Sequence, residues 1–211
     1  MQPWAVEYGT LWGYERSDGL PPVCPARIEV EFDEIGPADI DALRAAMNLP
    51  TTEPIEQRFR GRRRCFSLKV EGQIACYGWV TQGVECVGEL ERQFNLGDDE
   101  AYIWDCATLP AWRGQRLYSA LLSQILHQFH AEGIRRLWIG ASQQNAPSVQ
   151  GIANAGFQQV VDVVYRRWFR LTYFWMKAAP TAPPDLVSAA CHIMVNDHEH
   201  QLGSVAIGYK S

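Results

Sequence analysis

The sequence predicts an α/β fold: helices layered on a mixed sheet. Three observations carry that expectation. Cys65–Val70 and Gln73–Val80 are two strand-like runs joined by a Glu71-Gly72 turn signal. Arg113–Glu132 carries a wide apolar stripe at helical spacing, with Leu117, Leu121 and Ile125 beside Leu122, Leu126 and Phe129. Along the chain the patterns run strand, helices, several strands, helix, strand, helix, strands, an order that layers helices on a sheet.

The elements follow in order. Residues 1–26 are broken by Pro3, Gly9, Gly13, Gly19, Pro21, Pro22 and Pro25, yet carry Trp4, Tyr8, Trp12 and Tyr14. They read as an irregular, aromatic N-terminal arm packed on the body. Arg27–Phe32 alternates as a half-buried strand, and Pro37–Met47 has Ile40, Leu43 and Met47 on one helical face. A short helix is expected over Glu53–Arg60, and a further strand near Glu89–Asn95. Ala101–Leu109 is a strand, Gly133 ends the long helix, and Ile134–Ile139 is the next strand. A short helix then ends at Gly156, followed by strands at Phe157–Tyr165 and Trp168–Met176. Lys177–Pro184 reads as a linker, and Asp185–Ser211 as a tail with a helix near its start. The main domain is therefore expected over residues 27–176. The C-terminal extension is the segment that would make any homodimer contact.

Composition bounds the function. The chain has 211 residues, 47% hydrophobic and 20% charged, enough for a single sizeable core. Its formal net charge of -5 argues against a nucleic-acid partner, which needs a broad basic surface. No apolar run reaches the roughly 18 residues of a membrane span, and no basic-then-apolar leader opens the chain. The expectation is no membrane partner and a cytoplasmic setting. The six cysteines include no Cys-x-x-Cys pair, so buried free thiols are expected and a metal site is not.

The chemistry concentrates in Tyr102–Phe157. A strand runs through Pro110, Ala111 and Trp112 into Arg113-Gly114-Gln115-Arg116-Leu117-Tyr118 and a long helix. Such a turn exposes N–H groups that have no partner inside the helix, and the helix dipole favours an anion there. Thr108-Leu109-Pro110-Ala111-Trp112-Arg113-Gly114-Gln115 resembles the acetyl-CoA-binding turn of the GNAT superfamily. Leu137-Trp138-Ile139, then Asn145, Ser148 and Ala155-Gly156-Phe157, match the next elements of that family in order and spacing.

The resemblance implies a mixed, mostly antiparallel sheet flanked by helices and splayed at the cofactor-binding strand. It implies acetyl-CoA as co-substrate and no metal. It implies an N-acyltransferase acting on an amine of unknown class by direct attack in a ternary complex. By the same resemblance Cys106, Ala107 and Thr108 pair with the pantetheine arm. Arg113, Gly114, Gln115, Arg116, Leu117 and Tyr118 cradle the pyrophosphate, and Asn145 contacts pantetheine. Asp105 is the candidate base, or a structural aspartate at the strand's centre, with Glu100 and Tyr102 as alternative bases; Asn145 can also serve as a helix cap.

The sequence departs from the family pattern at four places. Arg116 and Tyr118 stand at its glycine positions. Arg116 either blocks the phosphate or adds a charge-assisted bond to it. Gly140 stands where some members carry a glutamate base, and Ile152 where a tyrosine acid is usual, so that either solvent or Tyr118 would have to supply the acid. These losses keep open a catalytically weak CoA-binding or interaction module, or a transferase of another acyl or aminoacyl group.

Weaker signals remain. Arg58, Arg60, Arg62, Arg63 and Arg64 form a basic cluster, either a site for an acidic group or a solvated helix end. His127 and His130, and His198-Glu199-His200, read as surface groups rather than metal ligands. Trp104, Trp112 and Trp138 flank the expected cleft, as core or as an aromatic acceptor pocket.

Overall fold

The computed structural model describes residues 4–87, 92–168, 171–194 and 207–210. The strands are β1 (Trp4–Glu15), β2 (Glu31–Glu34), β3 (Arg64–Val70), β4 (Gln73–Thr81), β5 (Val84–Val87), β6 (Arg92–Asn95), β7 (Glu100–Thr108), β8 (Arg136–Ser142), β9 (Gln158–Trp168), β10 (Leu171–Ala178) and β11 (Ile207–Lys210). The helices are α1 (Ile40–Ala46), α2 (Glu53–Arg60), α3 (Leu117–Ala131), α4 (Ala146–Asn154) and α5 (Pro184–Met194). Among the described residues nine strands form the main sheet, ordered β11-β10-β9-β1-β8-β7-β4-β3-β2, and β5 and β6 form a separate hairpin. The β7–β8 and β10–β11 pairs are parallel and the other neighbours antiparallel. This is the mixed, mostly antiparallel sheet that was expected.

Strand alternation sorts the side chains onto two faces. Phe66, Leu68, Val80, Ile103, Leu137 and Ile139 meet Leu117, Leu121, Ile125 and Phe129 of α3. On the other face Cys65, Tyr77 and Trp79 meet α1 and α2, while Trp138, Val161 and Phe174 meet Leu186, Ala190 and Ile193 of α5. Leu121 is completely buried, so truncating it to Ala costs about 2–5 kcal/mol.

The reading of residues 1–26 as an irregular arm is corrected over its first half, while residues 19–26 are irregular and packed on the body as expected. Trp4–Glu15 is a strand in the middle of the sheet, antiparallel to β8 on one side and β9 on the other. Its glycines suggested a break, but Leu11 and Trp12 alternate between the two cores, and both edges find partners. The segment after it lies on α3: His127 Nε2 pairs with the Pro21 carbonyl at 2.8 Å, and His130 Nδ1 with the Tyr14 hydroxyl at 2.6 Å. The two histidines are thus spent on anchoring this segment.

Other corrections are smaller. The first expected strand, Arg27–Phe32, is displaced to Glu31–Glu34, because the Arg27 N–H is taken by the Gln115 carbonyl at 2.9 Å. The long helix begins at Leu117 rather than Arg113, since Gly114 and Arg116 both hold left-handed backbone with φ of 80° and 60°. The segment read as a linker, Lys177–Pro184, is shorter than expected: β10 runs to Ala178 and α5 starts at Pro184, and residues 179–183 between them form neither helix nor strand. The strand expected near Glu89–Asn95 falls partly outside the described residues; its described part is β6, paired with β5. His198-Glu199-His200 lies outside them.

Candidate functional site

The site arises where two parallel strands part. β7 and β8 pair only from Glu100↔Arg136 to Ile103↔Ile139. Beyond that point β7 bulges against β4, for Trp79 faces Trp104 while Tyr77 faces Ala107. Asp105 takes the bulge with φ 43°, and Cys106 turns its thiol toward Gly78. A Cβ on Gly78 would lie 2.7 Å from Cys106 Sγ, so the bulge needs glycine there. Gly140, Ala141 and Ser142 of β8 follow β1 instead. The edge of β7 at Cys106–Thr108 that faced β8 is left open, with backbone donors and acceptors aimed into a groove.

One lobe of the groove runs toward the start of α3 and is lined by Arg27, Cys106, Ala107, Thr108, Arg113, Gly114, Arg116, Leu117, Tyr118 and Asn145, with residues of α4. All the sequence-predicted cofactor residues meet here except Gln115, whose carbonyl holds Arg27. Gly114 and Arg116 hold left-handed backbone in the turn that leads into α3, whose first N–H groups have no partner inside the helix and favour an anion. Arg116 is the N-cap of α3, and no side chain caps the helix there. Arg113 bonds the Thr108 carbonyl at 3.5 Å, and Arg27 the Gly114 carbonyl at 2.9 Å. No carboxylate partner is found for Arg27, Arg113 or Arg116 among the described residues. Arg27 was missed by sequence reasoning. It lies 87 positions from Gly114 in a stretch read as strand, and nothing local marks it.

The basic cluster of the sequence behaves differently. Arg58 pairs with Asp105, Arg60 with Glu53 and Glu56, Arg63 with Glu85, and Arg64 with Glu34 and Glu132. Four of its five arginines are therefore consumed by carboxylates. The Arg63–Glu85 pair is bidentate at 2.7 and 3.0 Å, with the Thr81 hydroxyl donating to Glu85 at 2.6 Å. Burial pushes the Glu85 carboxyl up, but these hydrogen bonds outweigh it and hold the group below the usual carboxylate range.

The second lobe follows the splay itself and is lined by Ile103, Trp104, Asp105, Cys106, Tyr118, Gly140, Ala141, Ser142, Asn145 and Ser148, among others. Asp105 stands on its rim, in a 2.5 Å charge-assisted bond from Arg58. That guanidinium is seated over the rings of Trp79 at 4.9 Å and Trp104 at 4.6 Å. Of the three tryptophans placed at the cleft, Trp104 lines it and Trp138 is completely buried in the core. Asn145 caps α4, its Oδ1 accepting the Ser148 N–H at 3.3 Å, and lines both lobes.

Tyr118 also lines both lobes. Its ring lies on Gly151, where a Cβ would come within 2.4 Å of Cδ1, and its hydroxyl is hydrogen-bonded with Ser148. Burial holds that hydroxyl far above the ordinary tyrosine range, so it stays protonated. Ile152, at the place of the usual tyrosine, is completely buried. The Cys106 thiol is likewise held protonated by burial, which leaves no thiolate for nucleophilic attack. Among the described residues no group of three or more His, Cys, Asp or Glu side chains could hold a metal.

The comparisons with known proteins agree with this fold. A profile of the acetyltransferase (GNAT) family matches residues 38–157. No curated protein sequence matches the chain. Its fold is similar to that of a GNAT-family acetyltransferase from Colwellia psychrerythraea, with TM-score 0.55 and 14% identity over 79% of this chain and 57% of that one. A GCN5-related N-acetyltransferase from Sphaerobacter thermophilus gives TM-score 0.55 and 16% identity over 77% of this chain and 51% of the other. The chain thus spans little more than half the length of these structures. With a family profile covering more than half of its residues, including both strands of the splay and the turn into α3, the chain belongs to the GNAT acetyltransferase family.

Proposed function

We propose that the chain is an N-acyltransferase that moves an acetyl group from acetyl-CoA to a primary amine in a ternary complex, without a covalent enzyme intermediate. One observation carries this reading. The open edge of β7 and Arg27, Arg113 and Arg116, which have no carboxylate partner among the described residues, line one groove, as an extended arm ending in phosphates requires. The groove fits the co-substrate: an extended chain can pair with Cys106–Thr108, and pyrophosphate can meet the N–H groups at Gly114–Leu117.

Bound there, acetyl-CoA supplies a thioester carbonyl open to an amine. The chain's residues do the rest. Backbone N–H groups at the bulge donate to the carbonyl oxygen as charge gathers on it. Asp105 accepts a proton from the ammonium and frees the lone pair that attacks. The Tyr118 hydroxyl, held protonated by burial and hydrogen-bonded with Ser148, donates to the leaving sulfur. Holding both reactants in one cleft supplies much of the rate.

The test is isothermal titration with acetyl-CoA followed by an amine panel. Micromolar binding that is lost in Gly114→Pro, with turnover on some amine, supports the reading. Absence of binding at millimolar acetyl-CoA refutes it. Binding without turnover on any amine favours a second reading, a CoA-binding module, to which the losses at Gly140 and Ile152 point.

A further inference from the structure

A second cavity lies beside the splay, on the sheet face opposite α3. β1 and β8 are neighbours, with Leu11↔Gly140 and Gly9↔Ser142 in register. Leu11 faces the core shared with α5, and by strand alternation Gly9 faces the same way. Gly9 and Gly140 both lack the positive φ that would demand glycine, and glycine inside a strand costs stability. What the two glycines provide is space. A Cβ on Gly9 would meet nothing closer than the Ala141 carbonyl at 3.6 Å, and one on Gly140 would lie 3.1 Å from the Tyr102 hydroxyl.

Leu11, Val87, Phe94, Tyr102, Val163 and Met194 wall the resulting cavity, and no charged side chain lines it among the described residues. Phe94 and Tyr102 meet edge to face at 5.1 Å, which gives it a rigid aromatic corner. Gly140, Ala141 and Ser142 line both this cavity and the lobe at the splay. It therefore adjoins the lobe where, on the acyl-transfer reading, thioester and amine meet.

We propose that this cavity is an apolar side pocket of the transfer site, taking a short aliphatic or aromatic group of a substrate. The inference rests on the acyl-transfer reading of the adjoining splay. Two sources share that chemistry: an acyl chain longer than acetyl on the donor, or the apolar body of the acceptor amine. Tyr8, Thr10 and Ser142 also line the cavity but no charged side chain does among the described residues, so a charge placed there would lose its hydration without a counter-charge and polycationic acceptors do not fit.

Titration calorimetry on the full chain distinguishes the cases, with CoA, acetyl-CoA, butyryl-CoA, ethylamine and hexylamine as probes. Each buried methylene is worth about fourfold in affinity, so two give about fifteenfold. If the donor fills the pocket, butyryl-CoA binds about fifteenfold tighter than acetyl-CoA. Gly9→Val, which puts a strand-favouring side chain into the space, then removes the gain while free CoA binds as before. If the acceptor fills it, the acyl series is flat and hexylamine gains tenfold or more over ethylamine, again lost in Gly9→Val. Gly140→Ala provides a second, smaller intrusion should Gly9→Val fail to fold. The proposal is overturned if neither series shows a gain, or if the gain survives in the folded variants. Failure of every CoA species to bind, with a hexylamine gain that Gly9→Val abolishes, would sink the transferase reading and leave the pocket standing.

Discussion

Arg116 holds two roles that one pair of substitutions separates. Its backbone is left-handed, with φ 60° and ψ 20°, at the start of α3. For a residue with a Cβ that conformation costs about 1–2 kcal/mol, and glycine avoids it. Arg116→Gly should therefore stabilise the fold by about 1 kcal/mol, less the extra freedom glycine gains when unfolded. In a domain of this size that is a rise of about 2–4 °C in thermal midpoint. The same change removes a guanidinium that has no carboxylate partner among the described residues and lines the groove. A hydrogen bond to a charged group is worth about 1.5–3 kcal/mol, so CoA should bind about ten- to a hundredfold more weakly. Arg116→Ala keeps the strain and loses the charge: it should show the same weakened binding with no rise in midpoint. Calorimetric melting and titration with CoA measure both quantities on the same samples. Arg116→Gly binding CoA as tightly as the parent would refute the phosphate role. A midpoint that fails to rise in Arg116→Gly relative to Arg116→Ala would refute the strain argument.

Four further outcomes follow from the geometry. Gly151→Ala gains about 1 kcal/mol of helix propensity but drives its methyl into Tyr118, so transfer should slow to the level of Tyr118→Phe, and the double variant should lose no more; additive losses in steady-state rates would show that the two act separately. Arg63→Ala leaves Glu85 buried without its bidentate partner and should cost about 3 kcal/mol in urea unfolding. Because the Glu85 carboxyl is held below its ordinary value near 4.5, its contribution is intact above that range and lost as pH falls below it, so Glu85→Gln should flatten the acid limb of the stability profile. Removing the first 15 residues should abolish cooperative melting followed by circular dichroism, because β8 and β9 then face each other across an empty strand position.

Much of the framework was legible because it rests on local signals. The Glu53–Arg60 helix, the hairpin around Glu71-Gly72 and the apolar stripe of α3 each announce themselves within a few residues. The cofactor-side residues were legible for the same reason: Arg113–Tyr118 is one contiguous turn, and all but Gln115 line the groove. What escaped depends on distant partners. β1 has the glycines of a loop, and only its neighbours across the sheet make it a strand. Arg27 becomes part of the groove through Gln115 and Gly114. The arginine cluster looked like an open basic patch because its acids, Asp105, Glu85, Glu34 and Glu132, come from four other places in the chain.

The position of β1 also sets the order in which the molecule can be completed. β1 precedes its partners by more than a hundred residues: the Thr10 hydroxyl donates to an Asp162 carboxylate 152 positions later. At synthesis rates of about 5–20 residues per second, that is roughly 8–30 s during which the strand has no edge to join. Until β8 and β9 emerge, the β2–β3–β4–β7 half of the sheet can assemble under α3, but the β9–β10 hairpin and α5 cannot dock to it. Closing so long a loop makes that last step slow, and it makes the nascent chain depend on keeping an aromatic strand out of foreign sheets.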